Sequence, residues 1–138
     1  MKKLLILLII FSAVTSAQNL VYDSGTVSSG DSIITIDLGA DLNRLQQDYA
    51  GGNELRLIAI AFTGTWTNTS FTVSASNAAN GTYYDVYGAD GTQLTITMAS
   101  NRWIWLEPIK FAGLRYLKLT GATAESGTRT YWTIERIY

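Results

Sequence analysis

The chain has 138 residues, 47% of them hydrophobic and 12% aromatic, a formal charge of −1, and neither histidine nor cysteine. Those two absences exclude a Ser-His-Asp or Cys-His nucleophile, thiolate chemistry, disulfides and the usual zinc and copper sites. The mild negative charge argues against binding driven by phosphate neutralisation, so nucleic acid is not an expected partner.

Lys2 and Lys3 open the chain with positive charge, and residues 4–14 are apolar apart from Ser12. Thr15, Ser16 and Ala17 follow, small residues of the kind a signal peptidase reads. The expectation is a signal peptide over residues 1–17, cleaved before Gln18, and an exported single domain over residues 18–138. An apolar run of about 11 residues is too short for a permanent membrane span, which needs roughly 20. Removing Lys2 and Lys3 takes the formal charge from −1 to −3. Without cysteine there is no lipid-modified N-terminus either, and burial and hydrogen bonding alone hold the fold.

Short alternating runs follow, separated by turn residues. Residues 20–22 predict a short first strand. Residues 32–38 put Ile34, Ile36 and Leu38 on one face and Ile33, Thr35 and Asp37 on the other. Over 41–49, Leu42, Leu45 and Tyr49 recur at helical spacing, with Asp41 as a cap and Gly51-Gly52 as a stop. Residues 55–62 are apolar on both faces apart from Arg56, which suits a central strand covered on both sides. Residues 70–76 alternate, with Phe71, Val73 and Ala75 inward and Thr72, Ser74 and Ser76 outward.

Asn80-Gly81 and Asp90-Gly91 signal turns around strands at 82–87 and 93–98, the latter with Leu94, Ile96 and Met98 on one face. Strands at 102–107, 115–120 and 130–138 complete the set. Residues 122–128 read as a mobile loop of small polar residues. The pattern predicts an all-β, two-sheet antiparallel β-sandwich, jelly-roll-like, of eight or nine strands, with one short helical insertion near 41–50.

The run Thr65-Trp66-Thr67-Asn68-Thr69-Ser70-Phe71-Thr72-Val73-Ser74-Ala75-Ser76 resembles small β-sandwich proteins of tailed-phage structural gene clusters, of jelly-roll or galactose-binding-like type. Gly81-Thr82-Tyr83-Tyr84-Asp85-Val86-Tyr87 would be their aromatic-rich hairpin. Phe111-Ala112-Gly113-Leu114-Arg115-Tyr116-Leu117-Lys118-Leu119-Thr120 matches their loop-Gly-aliphatic-Arg-aromatic strand. The resemblance spans residues 55–137 and is one of pattern. It implies a sandwich with a virion or tail-accessory role. The leader at residues 1–17 gives the expected place, exported to the periplasm, the extracellular space or a virion surface.

Candidate contact residues are aromatic. In Arg102-Trp103-Ile104-Trp105-Leu106-Glu107 the two tryptophans share a face, and they form an outer platform about 7 Å apart if Ile104 and Leu106 face the core. Such a platform suits sugar rings or a neighbouring protein subunit, and would serve a homo-oligomer interface equally. Tyr116 is expected outward beside Lys118, and Tyr116, Tyr131 and Trp132 are candidates to extend the platform. Trp132, sharing a face with Ile134, fits the core better. Tyr83 and Tyr87 share a face with Asp85 near the Asp90-Gly91 turn.

Asp23, Asp85 and Asp90 are conceivable calcium ligands, but no loop of alternating carboxylates supports a site, and no metal or cofactor is expected. Asp85 and Glu107 are the best carboxylate pair for glycoside hydrolysis, with nothing in the sequence bringing them together. Both read better as solvated carboxylates, and the chain is expected not to be an enzyme. Asn68-Thr69-Ser70 and Asn80-Gly81-Thr82 match the N-glycosylation pattern and read as by-products of Thr/Ser-rich turns. The expected function is an exported structural or recognition protein, virion-associated or surface-exposed, acting through exposed aromatics. The alternative is a secreted carbohydrate-binding module.

Overall fold

The computed structural model describes residues 20–38 and 55–138. Residues 1–17 and the helical candidate at 41–49 lie outside the described residues. Nine strands are present among those described: β1 (Leu20–Val27), β2 (Ile33–Asp37), β3 (Leu55–Thr63), β4 (Ser70–Ser76), β5 (Tyr84–Asp85), β6 (Thr95–Thr97), β7 (Trp103–Trp105), β8 (Tyr116–Gly121) and β9 (Arg129–Ile137). A 3-10 turn, Pro108–Phe111, joins β7 to β8.

The strands form two sheets, one ordered β1-β9-β3-β7 and the other β2-β8-β4-β5, with β6 also on β4. All pairings between these strands are antiparallel. The first strand pairs with the last, β2 with β8, β3 with β7, and β4 with β5 and β6. This nested order is that of a jelly roll, a long hairpin wrapped over so that successive pairs alternate between sheets.

Alternation explains which side of each strand is buried. Ile34 and Ile36, Phe71 and Val73, and Leu117 and Leu119 point from the second sheet into the interior, all at 5% exposure or less. From the first sheet come Leu55, Leu57, Ile60, Phe62 and Tyr131. Leu57 and Ile60 share that side although three residues apart, because a register shift between Leu57 and Ala59 resets the phase of β3. Phe62 stacks on Phe71 at 5.3 Å, and the Trp66 ring meets both edge-on at 5.1 and 5.8 Å. Edge-to-face and offset contacts of this kind add about 0.5–1.5 kcal/mol each beyond area burial.

Several local expectations give way to tertiary context. β1 runs to Val27, well past Tyr22, because β9 offers a partner along its whole length. The strand expected at 82–87 shrinks to Tyr84–Asp85, and that at 93–98 to Thr95–Thr97, since the two share the edge of β4. Ser74 and Ser76, expected outward, are buried. Ser74 donates to the Lys118 carbonyl at 3.4 Å, and Ser76 donates to that of Ala78 at 2.9 Å in the turn beyond the strand.

Residues 122–128, expected to be mobile, are pinned by Glu125. Its side chain is fully buried and accepts from the backbone N–H groups of Thr67 (2.9 Å) and Asn68 (3.3 Å), from Asn68 Nδ2 (2.8 Å) and from Arg129 Nε (3.3 Å). Burial pushes the Glu125 carboxyl up, but the donors from Thr67 and Asn68 outweigh it and hold the group below its ordinary 4.5.

Candidate functional site

The pleat of β7 sends Trp103 and Trp105 to one side and Ile104 to the other. Ile104 and Leu106 pack against the core, which turns the tryptophans outward. Trp103 is 44% and Trp105 71% exposed.

Register sets what lies beside them. Trp103 stands opposite Ala61 and Trp105 opposite Ala59. Across β3, Ala61 faces Trp132 and Ala59 faces Ile134. Across β9, Trp132 faces Ser24 and Ile134 faces Tyr22. Two rows thus cross the outer side of the first sheet, one Trp103–Ala61–Trp132–Ser24 and the other Trp105–Ala59–Ile134–Tyr22.

Ile58, Ala59 and Ile134 make a small buried cluster of their own beneath these rings. Trp132, 45% exposed, and Tyr22, 63% exposed, rise beside it. Aromatics of its own sheet thus flank the outer side of β3. A third row holds Leu20, Arg136 and Arg56. Both guanidinium groups lie on the Tyr138 ring, at 5.0 and 4.4 Å from its centroid.

A cleft of about 360 Å³ opens between Trp103 and Trp132, with Ala61 in its floor and Asn101 and Arg102 among its lining residues. That volume falls within the roughly 300–1,000 Å³ of small-ligand clefts. Asn101 sits at φ 57°, in the left-handed region that asparagine tolerates. Its N–H donates to the Phe62 carbonyl at 2.7 Å, and its Oδ1 accepts from the Gly64 N–H at 2.8 Å. The turn that presents Arg102 and Trp103 is thereby tied to the end of β3.

The expected aromatic surface divides between the two sheets. Trp103 and Trp105 share the face just described. Tyr116 stays outward beside Lys118, but on the second sheet, opposite buried Leu117 and Leu119. Tyr83 is there too, with Lys118 Nζ 4.0 Å over its ring, and Tyr87 bridges to Gln93 at the base of the 88–92 turn. Tyr131 is a core residue, its hydroxyl donating to the Thr35 carbonyl at 3.2 Å. Trp132, expected in the core, belongs to the exposed face. In β9 both sides carry apolar residues, and only the position of the second sheet decides which is inside.

Asp85 lies in β5 of the second sheet, whereas Glu107 follows β7 of the first and pairs with Lys110 at 3.3 Å. Asp23 accepts from the Ser24 N–H, and Asp90 from that of Thr92. Among the described residues no three His, Cys, Asp or Glu side chains gather where they could hold a metal ion. No helix among them is long and apolar enough to cross a membrane.

Asn68 has a structural part that the sequence pattern did not signal. It is buried, its Nδ2 donates to Thr123 O (2.7 Å) and Glu125, and its Oδ1 accepts from the Thr123 N–H (2.9 Å). The side chain of this acceptor motif is thus committed within the fold.

No protein-family model matches the chain, and no curated protein matches it at a significant level. Among solved structures, that of the SPBc2 prophage-derived protein YomS is similar to it, at 16% identity and a TM-score of 0.43, covering 86% of this chain and 96% of that one.

Proposed function

We propose that the chain is a non-enzymatic, exported recognition or structural protein that makes its contacts through the outer face of the first sheet. The observation that carries this reading is the grouping of Trp103, Trp105, Trp132 and Tyr22 over the floor of Ala59, Ala61 and Ile134. Burying a large apolar side chain is worth about 1.5–3 kcal/mol, so several rings left in water on one face mark a surface that a partner covers. They also stand on a hydrogen-bonded sheet, so little ordering entropy opposes binding. The setting, on the leader and on the virion role that the resemblance implies, is a virion or cell surface, and the partner that exposed aromatics suit is a glycan or a neighbouring protein subunit.

A carbohydrate partner is favoured over a protein one by the cleft between two indoles, since ring-to-indole stacking needs just such walls. The test is a glycan array together with sedimentation of the purified chain, comparing wild type with Trp105→Ala and Trp132→Ala. The expected result is binding or self-association that falls at least about tenfold in both variants, a loss typical of interface aromatics. Retention of all binding in the two variants would exclude this face.

A further inference from the structure

The charge of the first sheet's outer face differs from that of the chain. The chain carries −1, yet this face presents Arg56, Arg136 and, at the cleft, Arg102. The carboxylates described nearby do not line the cleft. Glu135 is buried on the inner side of β9, Asp23 lies opposite Thr133 on the inner side of β1, and Glu107 pairs with Lys110. No carboxylate among the described residues lines the cleft. Arg102 is exposed and makes no ion pair among the described residues.

The cleft combines two chemistries. Its walls are the indoles of Trp103 and Trp132, on strands separated by β3, so their backbones are about 9.6 Å apart. Ala61 between them contributes only a methyl group, leaving a slot for one flat saturated ring. At its rim stand Arg102 and Asn101. Because Asn101 Oδ1 is taken by the Gly64 N–H, the other end of that amide is its NH2, a hydrogen-bond donor. A guanidinium is a planar fork of donors matched to a carboxylate.

We infer that this cleft takes an acidic sugar residue, a uronate or sialate pyranose, its ring between Trp103 and Trp132 and its carboxylate on Arg102. The inference rests on the reading of this face as a recognition surface and names the class of glycan it selects. Arg136, held on Tyr138 beyond the Ile134 row, lies where a further carboxylate of an extended acidic glycan would pass.

The test titrates the intrinsic tryptophan fluorescence of the chain with oligogalacturonate and oligosialate. Carboxyl-reduced oligogalacturonate, which keeps the ring and loses the charge, is the control, beside oligothymidylate. Wild type is compared with Arg102→Gln, Trp132→Ala and Trp105→Ala, each checked for an unchanged thermal transition.

At least one acidic oligosaccharide should bind. For a charge-assisted bidentate contact, carboxyl reduction or Arg102→Gln should each weaken binding by about tenfold or more. Trp132→Ala should weaken the acidic and reduced forms alike. Equal affinity for acidic and reduced sugar, or an unaffected Arg102→Gln, overturns the acidic-sugar inference while Trp105-dependent binding keeps the face as a recognition surface. Binding of oligothymidylate or of a second copy of the chain, with neither acidic sugar bound, has the same consequence. If no variant alters any binding, both readings fall.

Discussion

Four tryptophans of one chemical type have two different fates, and the difference is measurable. Trp66 is 6% exposed, its indole N–H donating to the Thr63 carbonyl at 3.0 Å, and it meets Phe62 and Phe71 edge-on. Trp66→Ala should cost about 3–5 kcal/mol in urea unfolding, as truncating a buried aromatic does. Trp105→Ala should stay within about 0.5 kcal/mol of wild type, as an exposed surface change does. Acrylamide should quench three of the four tryptophans in the folded chain. Glu125 is the other residue to which stability is sensitive. Its folded pKa lies below 4.5, so its contribution is present above that pH and is lost as pH falls through the lower folded value. Glu125→Gln should cost about 2 kcal/mol at pH 7 and flatten the acid limb of the stability profile. An acid limb as steep as that of wild type would remove Glu125 as its cause.

At the scale of elements, the meeting of β1 and β9 depends on a glycine. Gly25 lies opposite Tyr131, and a Cβ on Gly25 would occupy the place of the Tyr131 ring and hydroxyl. Gly25→Val should therefore cost about 1–3 kcal/mol by overpacking, read as a lower urea midpoint. Tyr131→Phe, which keeps the ring, should cost only about 1 kcal/mol for the bond to Thr35. Burial, with a smaller effect from the charge of Asp23, raises the Tyr131 pKa above its ordinary 10.0. The native state then keeps a proton that the unfolded chain releases, so this stabilisation is present below pH 10 and lost as pH rises through the folded value. Tyr131→Phe should show a shallower alkaline decline. The alternation of β2, β4 and β8 was legible in their sequences because each carries aliphatic residues on one side and mostly polar residues on the other. In β3 and β9 apolar residues occupy both sides, and periodicity alone could not orient Trp132.

At the scale of the molecule, the jelly-roll order explains why the aromatic candidates separate. Except within β4, β5 and β6, successive strands cross between sheets, so β7 and β8 are neighbours in sequence yet belong to opposite sheets. Trp105 and Tyr116 are consequently on different sides of the sandwich. Conversely, β1, β9, β3 and β7 are far apart in sequence, and their adjacency puts Tyr22, Trp132, Ala61 and Trp103 on one surface.

The sequence by itself determined the class of fold, through period-two alternation broken by Asn-Gly and Asp-Gly turns. It also determined the sides on which Trp103 and Trp105 stand relative to Ile104, because the pleat is a local property. The tertiary structure alone decided the rest of the face. Strand order supplied Trp132 and Tyr22, the bulge in β3 aligned its alanines with the indoles, and Glu125 reached Asn68 across 57 residues of chain. Pairing and burial between distant segments leave no periodic mark in either segment, which is why those contacts could not be read in advance.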